Sequence, residues 1–205
     1  MKTLHTHLKA SNIVALIVVF LLGTVFCHAQ ELGIDKNENH KPETELPPDV
    51  LWDVKAYMPE AKLIKVKAVD EDGKLHDVKA LQSFGDISVL DVKCLYNDDI
   101  LPIKLIIGKD DSTYALKAIK KDGTLLDVKA ITDEGKQFNI NGITRTGNVV
   151  SIRVSGKDGD YYKVFAISPE GHVNDVKGIK MMQSKEETII NEVPVYAHVK
   201  ALTQI

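Results

Sequence analysis

The sequence predicts an all-β protein: an antiparallel meander of about twelve short strands, built from 12-residue units and folded over as a flattened barrel or sandwich. Three observations predict it. Glycines at Gly123, Gly135, Gly147, Gly159 and Gly171 recur every 12 residues, and Gly73 and Gly85 keep the same beat earlier. A fixed period sets the architecture before any single motif does. Between the glycines, apolar residues alternate. In TLLDVKAI, Leu126, Val128 and Ala130 share one face and Asp127, Lys129 and Ile131 the other, which is the pattern of a strand with one buried side. The glycines close segments such as Lys121-Asp122-Gly123 and Pro169-Glu170-Gly171. These suit a three-residue hairpin loop, a type I turn followed by a left-handed residue.

From the N-terminus, residues 1–29 read as a signal peptide. Lys2 and Lys9 precede an apolar run from Ile13 to Phe26, and Cys27-His28-Ala29 supplies small residues for cleavage between Ala29 and Gln30. The run is shorter than the roughly 20 residues that span a bilayer, so no integral span is expected after cleavage. Residues 30–50 are polar, with Pro42, Pro47 and Pro48 and no apolar period, and read as a flexible spacer. Residues 51–205 form the β-repeat domain. The same sorting recurs at Trp52/Val54/Ala56, Ile64/Val66/Ala68, Tyr114/Leu116/Ala118, Val150/Ile152/Val154 and Tyr162/Val164/Ala166. Strands of roughly seven residues would run about 23 Å.

The loop length sets a register. Around Gly123 it places Lys117 opposite Asp127 and Leu116 opposite Val128; around Gly73 it places Lys67 opposite Asp77. Around Gly85 the same loop would set Asp77 against Asp91, so a different turn is expected there, and the beat slips by two residues between Asn97 and Lys109. Asp-Val-Lys at Asp77, Asp127 and Asp175 adds a 24-residue beat, a hairpin with unlike arms. The alternatives are a β-solenoid of parallel coils, which would stack like charges, and a propeller-like blade arrangement. The last strand, Val195 to Leu202, is expected to pair with the first, Leu51 to Tyr57, and so remove the free edges.

Composition narrows the chemistry. Twenty-six basic and 29 acidic residues give a net charge of −3 without a basic patch, which disfavours nucleic acid as a partner. Cleavage would leave Cys94 as the single cysteine, standing where other repeats have Ala, so it reads as a small buried side chain. Asp-rich turns match neither an EF-hand nor a calcium β-roll. His40, His76, His172 and His198 lack zinc-ligand spacing. Asp-x-Lys recurs at Asp53, Asp77, Asp91, Asp127 and Asp175, and a catalytic pair should be singular and set in a cleft. No catalytic, cofactor or metal residue is therefore assigned. Trp52, the sole Trp, belongs with the inner face. Ile119, Ile131, Ile143, Ile167 and Ile179 lie on the polar face, either as a covered rim or as an apolar docking row.

The D-V-K-A repeat behind a leader ending in Ala29-Gln30 resembles uncharacterised secreted proteins of Gram-negative bacteria that share a domain of unknown function. The resemblance spans Leu51 to Ile205 and implies no activity and no site residue. Repetition multiplies one surface chemistry, which suits an interaction surface better than a single catalytic centre. The chain is therefore expected to be an exported, non-enzymatic module, periplasmic or extracellular, that binds a protein or glycan of the cell envelope. Asp77, Lys79, Asp127, Lys129, Ile131, Asp175, Lys177 and Ile179 form the candidate interaction face. The alternative is a small-molecule carrier or enzyme that uses a cavity inside the sheet. An outer-membrane barrel would want longer strands and aromatic girdles.

Overall fold

In the computed structural model, residues 50–58, 62–107, 114–156 and 159–204 are described. They form thirteen strands: β1 (Val50–Met58), β2 (Lys62–Val69), β3 (Leu75–Gln82), β4 (Val89–Tyr96), β5 (Asp99–Ile107), β6 (Tyr114–Ile119), β7 (Leu125–Ile131), β8 (Gln137–Thr146), β9 (Val149–Ser155), β10 (Tyr161–Ile167), β11 (Val173–Ile179), β12 (Thr188–Ile190) and β13 (Val193–Thr203). No helix occurs among these residues. Every pairing is antiparallel and all strands belong to one sheet that closes on itself. The parallel solenoid is excluded.

The turns form as their sequences demand. At the β2–β3 turn, the Gly73 N–H donates to the Asp70 carbonyl (3.0 Å) and the Asp70 N–H to the Lys74 carbonyl (3.1 Å), with Gly73 at φ +78°. The turns at Gly123, Gly135 and Gly171 repeat both bonds. Lys67 lies opposite Asp77 and Lys117 opposite Asp127, as the loop length requires. The β3–β4 connection is longer, with Phe84 and Gly85 both at positive φ, and it sets Leu81 rather than Asp77 opposite Asp91.

The expected pairing of Leu116 with Val128 fails, and its failure reveals the closure. Leu116 does not face Val128: Leu116 faces Leu105 and Val128 faces Ala68. The β6–β7 hairpin pairs only near its tip. Its arms then diverge, and β8 enters between them, meeting β6 at Tyr114–Ala115 and β7 at Lys129–Ile131. The same three-way junction occurs four times. Strand β1 splits β2–β3, β13 splits β4–β5, β8 splits β6–β7 and β9 splits β10–β11.

Six further pairings, β1–β10, β2–β7, β3–β4, β5–β6, β8–β9 and β11–β13, connect the junctions. Each connects a different pair of junctions, so the pairing graph is that of a tetrahedron, with four corners and six edges. Each of the twelve long strands thus has partners in its own junction and one in a neighbouring junction. The all-β antiparallel sheet expected from sequence closes into a ring, but that ring is not an even barrel. The last strand does not pair with the first. Strand β13 lies among β4, β5, β11 and β12, and β1 among β2, β3 and β10, because each is used to wedge a hairpin open.

The repeated Val-x-Ala follows from this geometry. The Val position lies at a junction and the Ala position at a join. Across β2–β7, Val66 faces Ala130 and Ala68 faces Val128; across β1–β10, Val54 faces Ala166 and Ala56 faces Val164. Large against small at these facing pairs lets the inner layer interdigitate. The twelve junction residues, from Val54 to Val199, are each within 4 % of complete burial. Trp52 is fully buried, and its Nε1–H donates to Gln82 Oε1 at 2.8 Å. Cys94 is fully buried at an Ala position, facing Val78.

The two-residue slip arises in the longer β3–β4 connection, where the inward positions Val78 and Val92 lie 14 residues apart, and two-residue turns change the parity elsewhere. Tyr96 pairs with Asp99 across Asn97-Asp98, which moves the inner face of β5 to Leu101, Ile103 and Leu105. At the β8–β9 turn, Thr146 pairs with Val149, and an irregularity between Gly142 and Thr144 restores the parity. The break in the repeat after Lys180 becomes a flap on the outside of the sheet. Its β12–β13 hairpin brings Val193 and Val195 against Ile119 to form a second small apolar cluster.

Candidate functional site

The junctions place the Asp and Lys of the repeat together on the outer surface. Each strand brings a triplet: an outward residue, the inward junction residue, then a second outward residue that is usually Lys. At a junction, the first outward residue of one strand faces the last outward residue of the next. In the β1–β2–β3 junction, Lys79 Nζ donates to Asp53 Oδ1 at 2.5 Å, Lys67 donates to Asp77, and Lys55 lies 3.4 Å from Asp53. The third facing pair is Lys55 and Lys65. A depression of about 210 Å³ lies at this junction, lined by the three triplets Asp53–Lys55, Lys65–Lys67 and Asp77–Lys79.

The other junctions vary the theme. In the β6–β7–β8 junction, Lys117 donates to Asp127, and Lys129 bridges Asp127 (3.1 Å) and Asn139 Oδ1 (2.6 Å). In the β9–β10–β11 junction, Lys177 lies 3.2 Å from Asp175 along its own strand. In the β4–β5–β13 junction, Lys200 donates to Asp91, and the buried Lys104 donates to His198 Nδ1 at 2.9 Å. Lysines also face each other across joins, as with Lys67 and Lys129, Lys79 and Lys93, and Lys177 and Lys200. Facing like charges destabilise a sheet. Here carboxylates within the junctions offset part of that repulsion.

Protonation follows the same contacts. The Lys79 hydrogen bond holds the Asp53 carboxyl below its ordinary value, and the Lys67 hydrogen bond does the same for Asp77. Burial pushes Asp91 and Asp127 upward, but their lysine partners outweigh it and leave both lowered. Burial, helped by Lys93, pushes the Lys104 ammonium down to about 8. Burial and the neighbouring Lys104 lower His198 as well.

The residues of the predicted interaction face are distributed over three junctions. Asp77 and Lys79 lie in the first with Asp53, Lys55, Lys65 and Lys67; Asp127 and Lys129 lie in the β6–β7–β8 junction; Asp175 and Lys177 lie in the β9–β10–β11 junction. Ile131 is only 6 % exposed and faces Lys65. Ile179 is half-buried and faces His198. The alternation identifies the Asp and Lys positions, but grouping them by junction needs the splayed hairpins, for which no local signal exists. The cleavage pair Ala29 and Gln30 lies outside the described residues.

A second concavity, a cleft of about 680 Å³, lies where β1 and β2 approach the β7–β8 turn. Met58, Leu63, Ile64 and Phe138 form its apolar part, and Lys62, Asp133, Glu134 and Lys136 its charged part. Among the described residues, no group of three or more His, Cys, Asp or Glu is placed to hold a metal ion, and no helix is long and apolar enough to cross a membrane.

No curated protein and no solved structure matches the chain. A family model matches residues 48–202, which takes in all of β1 to β12 and nearly all of β13. The chain belongs to that family, a family of unknown function (DUF7486).

Proposed function

We propose that this chain is an exported, non-enzymatic binding module whose outer surface engages a protein or glycan of the cell envelope. The observation that carries the reading is the division of labour in the triplets. The inward junction residues are within 4 % of complete burial, while the outward Asp and Lys present related chemistry at four places. A packed inner layer gives little support to a carrier or enzyme that works from inside the sheet. The surface is polar and charged, which suits hydrogen-bonded recognition of sugars or of a polar protein face.

The test has two parts. Cell fractionation of the tagged full chain should place it in the periplasm or medium; retention in the cytoplasm overturns the export reading. Incubation with purified sacculi and with envelope extract should give saturable retention that falls when Lys79 and Lys129 are both changed to Glu. Absence of saturable retention on either material overturns the binding reading.

A further inference from the structure

Three facing pairs close each junction, and in the β1–β2–β3 junction two of them are Lys-to-Asp: Lys79 with Asp53, and Lys67 with Asp77. The third sets Lys55 opposite Lys65, with Lys65 occupying the position that Asp53 and Asp77 hold on the neighbouring strands. The junction thus gathers four ammonium groups around two carboxylates. Lys55 shares Asp53 with Lys79. Lys65 reaches Asp133 at 3.7 Å, but that carboxylate is 89 % exposed, and a pair in such a setting contributes little. The 210 Å³ depression lies over this junction. The β9–β10–β11 junction also sets a cation pair face to face, Arg153 and Lys163, but there Arg153 Nη1 donates to the Ile152 carbonyl at 2.9 Å.

We propose that the β1–β2–β3 junction is an oxyanion site, in which a carboxylate or phosphate group of a ligand takes the place of the missing third aspartate between Lys55 and Lys65. This deepens the binding-module reading, on which it rests, by naming the chemical class recognised. The anion completes a ring of alternating charge that the fold leaves one carboxylate short. Lys55 and Lys65 supply ammonium donors, and hydrogen bonds to ionised partners are about twice as strong as neutral ones. The acidic group belongs either to a sugar acid or to a phosphate ester, and both present the same oxygens to the lysines.

The test is a titration of the full chain with inorganic phosphate and, separately, with glucuronate, followed by the amide shifts of Val54, Val66 and Val78. Saturable shifts that weaken with added salt are expected from at least one probe, and the tighter probe identifies the source of the anion. Lys65→Asp supplies the missing carboxylate from within, so it should fold at least as stably as the parent and bind about tenfold or more weakly, the scale of one charged hydrogen bond. Lys74→Asp makes the same charge change at the hairpin tip and should leave binding within about twofold, because screening confines such effects to about 10 Å. If Lys65→Asp does not fold, Lys55→Gln serves in its place, with a loss of about fivefold or more expected for one ammonium. No saturable shift from either probe, or equal weakening by Lys65→Asp and Lys74→Asp, overturns the site. The sacculus and envelope assays are read independently. Retention there without phosphate or glucuronate binding overturns the oxyanion site and leaves the binding module standing.

Discussion

Leu105 is the test of whether the inner layer is packed as a set. It occupies a join position that most repeats fill with Ala, and it faces another leucine, Leu116. Two other join positions carry Gly. A methyl added at Gly142 would sit 2.8 Å from Leu105 Cδ1 and 3.0 Å from Val150 Cγ1; at Gly178 it would sit 2.7 Å from the same Leu105 Cδ1 and 2.9 Å from Val150 Cβ. Both glycines lie within strands, so the requirement is for space. Gly142→Ala and Gly178→Ala should each cost about 1–3 kcal/mol as overpacking of a closed core. Leu105→Ala removes three buried carbons and should cost about 2–5 kcal/mol. Independent effects would sum to roughly 4–11 kcal/mol in the triple variant, enough to unfold most domains. The geometry predicts otherwise. Truncating Leu105 removes the shorter contact of each methyl and lets two of its three carbons be replaced, but leaves the contacts to Val150, so the triple variant should lose no more than Leu105→Ala alone, about 2–5 kcal/mol. Urea unfolding of the full chain, followed by the emission of the buried Trp52, measures the four variants and the parent. A triple variant less stable than Leu105→Ala, or Gly→Ala variants indistinguishable from the parent, would refute packing of these three positions as one unit.

The remaining predictions concern the turns, the buried lysine and the thiol. Gly73 and Gly123 both adopt positive φ, but a methyl at Gly123 would lie 2.7 Å from the Asn191 carbonyl oxygen, whereas one at Gly73 has nothing within 4 Å. Gly73→Ala should cost about 1–2 kcal/mol for the left-handed backbone alone. Gly123→Ala should cost more and should accelerate hydrogen exchange in residues 188–195. Lys104, pushed down to about 8 in the fold from 10.5, is unfavourable in its charged form. Below pH 8 both states are protonated and the penalty is complete; between pH 8 and 10.5 the unfolded chain binds more protons, so stability rises with pH. The parent should gain up to about 3 kcal/mol over that window relative to Lys104→Met, read as the difference between their urea midpoints. Asp53, Asp77, Asp91 and Asp127 act in the opposite direction. Their lowered values contribute stability above the ordinary Asp range that is lost as pH falls through the folded values, and Asp127→Asn should flatten the acid limb of the stability curve. Burial pushes the Cys94 thiol up to about 12, so iodoacetamide at pH 8 should label it only after urea is added.

Local physics made the strands and turns legible in the sequence. Alternation shows which side of Val128 and Ala130 faces inward, and Lys-Asp-Gly specifies a loop that puts Lys117 opposite Asp127. Neither reveals how far a hairpin stays paired. Leu116 and Val128 would face each other in any continuous hairpin; they part because β8 brings its own inward face to the gap. That competition is decided between segments far apart in the chain, so no window of sequence records it. The candidate site divides likewise. The individual Asp-Val-Lys triplets are visible, but Asp53, Lys65 and Asp77 share a depression only because β1 wedges into β2–β3.

Twelve strands in four junctions also separate two kinds of departure from the repeat. Inward departures occur with compensation: Leu105 with Gly142 and Gly178, and Val154 opposite Ile140 where the next facing pair is Gly142 and Ile152. A close-packed interior has no slack, so an extra methyl at one position must be matched by a smaller side chain at another. Outward departures are under no such constraint, because water accommodates a change in size at the surface. Pro102 opposite Lys93 and Phe165 opposite Asp175 simply remove a pair. Lys65 differs from both. It replaces an acceptor with a second donor, leaves the facing lysines only the Asp53 carboxylate that Lys55 shares with Lys79, and does so at a depression in the surface. Among these outward substitutions, it is the one whose charge balance an external anion would complete.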